Sequence, residues 1–235
     1  MKNKKLKEET SSEIKILILL YFVAALAEVI AEFFNYKAFI YFLKPFLIPI
    51  LTIIYWKSSG KPNVLFIIAM FFALMANVFF IASGFDSIVI GAVFFMLYRI
   101  IVLYLVLKIL RVANYFPVFL ASIPFICIFL YLSCLTFNEL GNALFIYIVQ
   151  VIFMSFLGGL SLSSYIMNDS KRNYWLLLSS VLFALIQFIL VLKVYYISIS
   201  IFQPFAMTLY VFAQYALYKF MISSENLDDN TSFSV

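Results

Sequence analysis

The sequence predicts an all-α fold: a polytopic membrane protein, a bundle of eight transmembrane helices with both termini cytoplasmic. Three observations carry that expectation. Eight apolar stretches, each near the ~20 residues that a helix needs to cross a bilayer, fill the 235 residues almost end to end. The composition is 66% hydrophobic and 20% aromatic with mean hydropathy +1.10, against roughly 45–50% apolar in a soluble domain. Basic residues recur at every second junction between the stretches, which is a topology signal.

The elements follow in order. Residues 1–13 form a basic, cytoplasmic N-terminus, and the first span runs 14–34. Its length makes it a spanning helix rather than the short apolar core of a cleaved signal peptide. The second span, 38–56, stops at Lys57-Ser-Ser-Gly-Lys-Pro62, and the third, 63–83, at Ser83-Gly-Phe-Asp86. The fourth covers 87–107; Asn114-Tyr-Phe-Pro117 opens the fifth, 116–137. Asn138-Glu-Leu-Gly141 separates it from the sixth, 142–165, and Asn168-Asp-Ser-Lys-Arg172 leads into the seventh, 174–194. The eighth runs 199–222, and residues 223–235, with Glu225, Asp228 and Asp229, read as a flexible acidic cytoplasmic tail. These junctions are rich in turn formers and short, so consecutive helices are expected to be antiparallel neighbours in one transmembrane domain, 14–222. Continuous apolar runs exclude a membrane β-barrel, whose strands alternate over about ten residues.

Orientation comes from the lysines and arginines. The N-terminal group (Lys2, Lys4, Lys5, Lys7, Lys15), Lys57, Lys61, Lys108, Arg111, Lys171, Arg172 and Lys219 fall on one side. Only Lys37 and Lys193 fall at the other, while Lys44 and Arg99 lie inside spans. The positive-inside rule then puts both termini in the cytoplasm, and the expected location is a bacterial cytoplasmic membrane. The net charge of +5 is dispersed over helix ends, so it is no nucleic-acid footprint.

Several chemistries are excluded at once. The chain has no histidine, which removes His general bases, serine triads and the usual zinc sets; no metal and no cofactor is expected. Cys127 and Cys134 sit seven apart on one span, roughly 10 Å between Cα atoms, too far for a disulfide, and are expected to pack as small apolar side chains. Tyr36, Tyr41, Tyr55, Tyr195 and Tyr196 lie near span ends and fit interfacial belts.

What remains is the set of polar side chains at membrane depth. Glu28 on the first span and Lys44 on the second both lie roughly 9 Å below the boundary at their shared loop, by 1.5 Å of rise per residue. A lone charge there costs about 2.5–3.5 kcal/mol, so an acid–base pair is expected, with Glu32 one turn above Glu28 able to share the lysine. Asn77, Gln150, Gln187 and Gln203 fall in the same outer layer, with Tyr98, Arg99, Tyr210 and Gln214 deeper. Single amides of this kind commonly serve as interhelical glue, and Lys44 before Pro45 could mark a kink and snorkel outward. Arg99 cannot lose its proton and calls for an anion, a carbonyl cluster or a lined cavity. Together they predict a polar chamber opening toward the outer leaflet.

Four short segments carry a family resemblance: Lys44-Pro-Phe-Leu47 followed by Pro49; Phe72-Ala-Leu-Met-Ala-Asn-Val-Phe-Phe80; Ser180-Val-Leu-Phe-Ala-Leu-Ile-Gln187; and Tyr210-Val-Phe-Ala-Gln214. In this order they resemble the YhhN family of eight-helix membrane proteins, which includes the lysoplasmalogenases. That family shows Lys-Pro-Leu…Pro, Phe-Ser-Leu-Leu-Gly-Asp, Gly-Ala…Phe-x-x-Ser-Asp and Tyr-x-x-Ala-Gln at corresponding places. The resemblance implies hydrolysis of the vinyl-ether bond of a lysoplasmalogen or related lysolipid, releasing a fatty aldehyde. It also implies that the family's two intramembrane aspartates stand here as Asn77 and Gln187, and that Tyr98-Arg99 replaces a His-Tyr pair. The reaction needs a proton donor to the enol-ether carbon and a base to position water; a carboxyl held protonated can donate, an amide cannot. Glu28 with Lys44 is the candidate catalytic substitute, and Asn77, Tyr98, Arg99, Gln150, Gln187, Gln203, Tyr210 and Gln214 are candidate substrate-binding residues. Partners are expected to be a membrane lipid or lysolipid and the bilayer. A non-catalytic lipid-binding protein on the same scaffold is the alternative. A small-solute transporter comes third, on the echo of Phe72-Ala-Leu74 in Phe183-Ala-Leu185.

Overall fold

In the computed structural model the chain forms eight α-helices, with no strand among the described residues, which are 2–82, 84–112, 114–140, 144–195 and 199–232. They are α1 (Lys2–Phe33), α2 (Lys37–Ser58), α3 (Val64–Phe79), α4 (Phe85–Leu110), α5 (Phe116–Leu140), α6 (Leu144–Met167), α7 (Lys171–Tyr195) and α8 (Phe202–Ser232). The polytopic all-helical class expected from the sequence is the one observed.

Seven of the helices are long and apolar enough to cross a membrane. The exception is α3, at 16 residues, about 24 Å by its rise. Hydropathy carries the sequence-based span on to residue 83, but the backbone leaves the helix at Phe80. At the opposite end α3 begins sharply, because Asn63 Oδ1 accepts from the Leu65 and Phe66 amides, a side-chain N-cap.

Sequential helices pack as hairpins, α1 with α2, α3 with α4, α5 with α6 and α7 with α8. Contacts of α2 with α3, α4 with α6, α6 with α7 and α8 with α1 close the arrangement, and α5 lies outside it against α6 and α7. The most buried spans are α6 and α8; the least are α1 and α5, whose Ile16, Leu19, Phe119 and Leu120 point outward. An apolar exterior is what a hydrocarbon solvent requires of helices whose backbones are internally bonded. The α5–α6 contact is tight: a Cβ at Gly159 would overlap Ser122 Oγ and the Val118 carbonyl, a small-residue approach common between membrane helices.

Helix α1 begins at Lys2 and α8 continues to Ser232, each running past the membrane span read from the sequence, and two further expectations need correction. Near its end α8 is tied down, since Glu225 accepts from Tyr55 Oη at 2.9 Å and from Ser59 Oγ at 2.7 Å. Tyr55 is accordingly not a belt residue; it is fully buried, whereas Tyr36 and Tyr41 are exposed. Tyr195 and Tyr196 lie outside the described side chains. Finally, Cys127 and Cys134 are free, but exposed on α5 rather than packed, because α5 buries only the face turned to α6 and α7.

Candidate functional site

One cavity of about 210 Å³ lies in the half of the bundle opposite the termini. Six helices supply its wall: α2 through Lys44; α3 through Asn77 and Phe80; α4 from Ile88 to Phe95; α6 at Ile146, Tyr147 and Gln150; α7 from Ile186 to Lys193; and α8 from Gln203 to Tyr210. Each contributes the end that lies at the same face. On α8 the wall residues Gln203, Ala206, Met207 and Tyr210 recur at i, i+3, i+4 and i+7, one stripe of a 3.6-residue helix. On α4 Ile88, Ala92 and Phe95 do the same at i, i+4 and i+7. At the cavity end of α3 the chain turns against Gly91, where a Cβ would come within 2.8 Å of the Phe80 ring. The missing side chain lets Phe80 reach the wall.

Six of the ten candidates named from sequence line this cavity: Lys44, Asn77, Gln150, Gln187, Gln203 and Tyr210. Glu28, Tyr98, Arg99 and Gln214 do not. Two of these four connect to the wall directly and one through a shared amide. Tyr98 Oη donates to Gln214 Oε1, and Gln214 Nε2 donates to Tyr210 Oη, each at 3.1 Å. Asn77 in turn stands within interaction range of Tyr210. Arg99 Nη1 donates to Gln150 Oε1 at 2.9 Å, and Gln150 Nε2 to the Ala92 carbonyl at 3.1 Å. The guanidinium carbon lies 4.5 Å from the Phe95 ring centroid, a cation–π contact. Among the described residues Arg99 therefore meets an amide and a ring face, not a carboxylate. Its Nε and Nη2 have no hydrogen-bond partner among the described residues.

The expected Glu28–Lys44 pair is replaced by a neighbouring one. Lys44 Nζ bonds Glu32 Oε1 at 2.8 Å. Helical Cα–Cβ bonds tilt toward the helix N-terminus. Lys44 is thus carried back toward the α1–α2 turn, where Glu32 sits, while Glu28 on the descending helix is carried the other way, deeper into the bundle. Glu28 is fully buried, neither carboxylate oxygen has a partner among the described residues, and Lys44 and Glu32 are the charges acting on it.

Sequence reasoning missed two polar wall residues, Lys193 and Tyr147. Tyr147 Oη donates to the Phe129 carbonyl at 3.3 Å. Lys193 reads in the sequence as a loop-end charge, yet Ile186, Leu190 and Lys193 recur at i, i+4 and i+7, and that stripe was the available signal. No group of three or more His, Cys, Asp or Glu that could hold a metal occurs among the described residues.

The YhhN family model matches residues 39–220 of the chain, a range that holds the whole wall of the cavity. No curated protein and no solved structure matches it.

Proposed function

The chain belongs to the YhhN family, and from that premise we propose that it is a lysoplasmalogenase-like membrane protein whose cavity takes the polar end of a lysoplasmalogen or related lysolipid. One observation carries this: lysine and amide side chains from separate helices share a single cavity wall inside the membrane-spanning region. Ionisable groups at such depth mark sites of function. The volume of about 210 Å³ is below the ~300–1,000 Å³ of pockets that enclose whole ligands. It suits a head group, glycerol and the first chain carbons, with the rest of the chain passing out between helices. By the positive-inside distribution the termini face the cytoplasm and the cavity belongs to the outer half.

Vinyl-ether hydrolysis begins with a proton placed on the enol-ether carbon; water then adds to the resulting oxocarbenium carbon, and the hemiacetal collapses to aldehyde and alcohol. The wall offers no carboxyl at either place where the family's aspartates are expected, since Asn77 and Gln187 occupy them. Glu32 is the acid bonded to the wall, through Lys44 and Gln203; Glu28, buried beneath that ion pair and outside it, is the carboxyl this reading takes as the proton donor. A second reading, lipid binding without hydrolysis, is favoured by the same absence of a wall carboxyl.

The deciding experiment is aldehyde release by purified protein from a vinyl-ether lysolipid, with the ester analogue as control. Release that Glu28→Gln abolishes supports the hydrolase and its acid. Release untouched by that change removes Glu28 from the chemistry. No release, with lysolipid found in the purified protein by mass spectrometry, selects the binding protein.

A further inference from the structure

Two ammonium groups stand at the boundary end of the cavity, and one carboxylate serves both. Lys44 takes Glu32 Oε1 at 2.8 Å. Lys193 Nζ donates to the neutral amide oxygen of Gln203 at 2.5 Å, and Gln203 Nε2 donates to that same Glu32 Oε1 at 3.3 Å. The result is a chain from α7 through α8 and α1 to α2 with one anionic anchor. Lys44 and Lys193 are close enough to repel one another. Among the described residues no Asp or Glu belongs to the wall, and Glu28 bonds neither lysine.

Lys193 is therefore a cation whose hydrogen bond goes to a neutral acceptor, with the Glu32 carboxylate acting on it from beyond that amide and the Lys44 ammonium opposing it. An oxyanion suits it better, because bonds with both partners ionised are about twice as strong as neutral ones. The rest of the wall adds donors: the amides of Asn77, Gln150 and Gln187, with Asn77 Nδ2 unpartnered among the described residues. Depth orders the ligand. Gln187 lies six residues below Lys193 on α7, and Tyr210 seven beyond Gln203 on α8, roughly 9–10 Å in each case. A phosphate at the lysines would set the glycerol and first chain atoms against Gln187 and Tyr210.

We propose that Lys193 and Lys44, bridged by Gln203, form a phosphate-binding subsite at the boundary end of the cavity that takes the phosphodiester of a lysophospholipid head group. The subsite builds on the lysolipid cavity described above, but not on its hydrolytic chemistry. On binding, the phosphate takes the Gln203 carbonyl's place on Lys193.

The test uses the full chain in nanodiscs with three probes: lysophosphatidylcholine, a monoacylglycerol of the same chain, and inorganic phosphate. A charge-assisted bond is worth ~1.5–3 kcal/mol, so the phospholipid should bind the unaltered protein at least about tenfold more tightly than the neutral lipid. Lys193→Gln should erase that preference while leaving monoacylglycerol affinity in place, which also reports that the variant is folded. Lys193→Arg should retain it. An unchanged preference in Lys193→Gln overturns the subsite. Inorganic phosphate binding that depends on Lys193, with the two lipids bound alike, overturns the lipid head group as its source. Loss of aldehyde release from the unaltered protein with the preference intact would sink the hydrolase and leave the subsite standing.

Discussion

The two ends of the bundle treat polar side chains in opposite ways. Where the termini lie, Glu225 accepts two hydroxyls, Tyr55 also accepts the Asn63 amide, and Ser58 pairs with Tyr218 at 2.9 Å. Asn173 Nδ2 donates to the Ser164 and Asn168 carbonyls. In the cavity half, Glu28, Asn77 Nδ2 and two nitrogens of Arg99 are buried without a hydrogen-bond partner among the described residues. An unmade hydrogen bond of a buried group costs about 1–3 kcal/mol. One end spends its polar groups on holding helices together; at the other, Asn77 turns an unbonded donor to the cavity while Glu28 and Arg99 lie behind its wall. Structural glue is satisfied by the protein alone; a site is completed by what it binds.

Several experiments would break or sharpen that contrast. The largest effect is expected in the chemistry. Restoring both carboxyls with Asn77→Asp/Gln187→Asp should raise aldehyde release about 100-fold, the lower range of what a positioned acid–base group supplies, as followed by a coupled aldehyde assay. No gain would mean that the amides are not what limits the reaction. Next is the support of Arg99. Gln150→Leu leaves the guanidinium without its acceptor and should cost about 3 kcal/mol of stability, as breaking a buried charged contact does. The double variant Arg99→Met/Gln150→Leu should recover most of it, measured by unfolding in detergent. Equal losses in both would show that Arg99 draws its support elsewhere. The smallest effect belongs to the satisfied end. Tyr55→Phe removes two hydrogen bonds, one of them to the Glu225 carboxylate, and should lower stability by about 2 kcal/mol while leaving lysolipid affinity unchanged in the same binding assay. A change in affinity would couple the two ends.

The contrast also explains what the sequence made legible. Depth along a helix follows from residue count alone, so the layer containing Lys44, Asn77, Gln150, Gln187 and Gln203 was readable, and the cavity gathers those five together with Tyr210 from the deeper set. Direction was harder. Glu28 and Lys44 share a depth but diverge because one side chain leans up and the other down, and only Glu32 meets the lysine. Tyr98 and Gln214 were rightly placed together with Tyr210, yet they stand behind it, which residue spacing does not distinguish from the wall itself. Lys193 was read as a topology charge because loop-end lysines usually are. The overestimate of α3 has a similar origin, since Phe80, Ile81 and Ala82 remain apolar after the helix has ended. Tyr55 looked interfacial by position, but its partner Glu225 lies 170 residues further along the chain, and no local pattern announces such a contact.

The most direct measurement asks whether the six-helix cavity is wet and takes lipid. With Cys127 and Cys134, both exposed, replaced by serine, a cysteine is placed at the buried wall position Ala206 and, separately, at outward-facing Phe205. Ala206→Cys should react with a water-soluble maleimide and be protected by lysophospholipid, while Phe205→Cys should stay unlabelled in the hydrocarbon. Labelling at 205 but not at 206, or labelling at 206 that lysophospholipid leaves untouched, would contradict a water-filled, lipid-binding chamber.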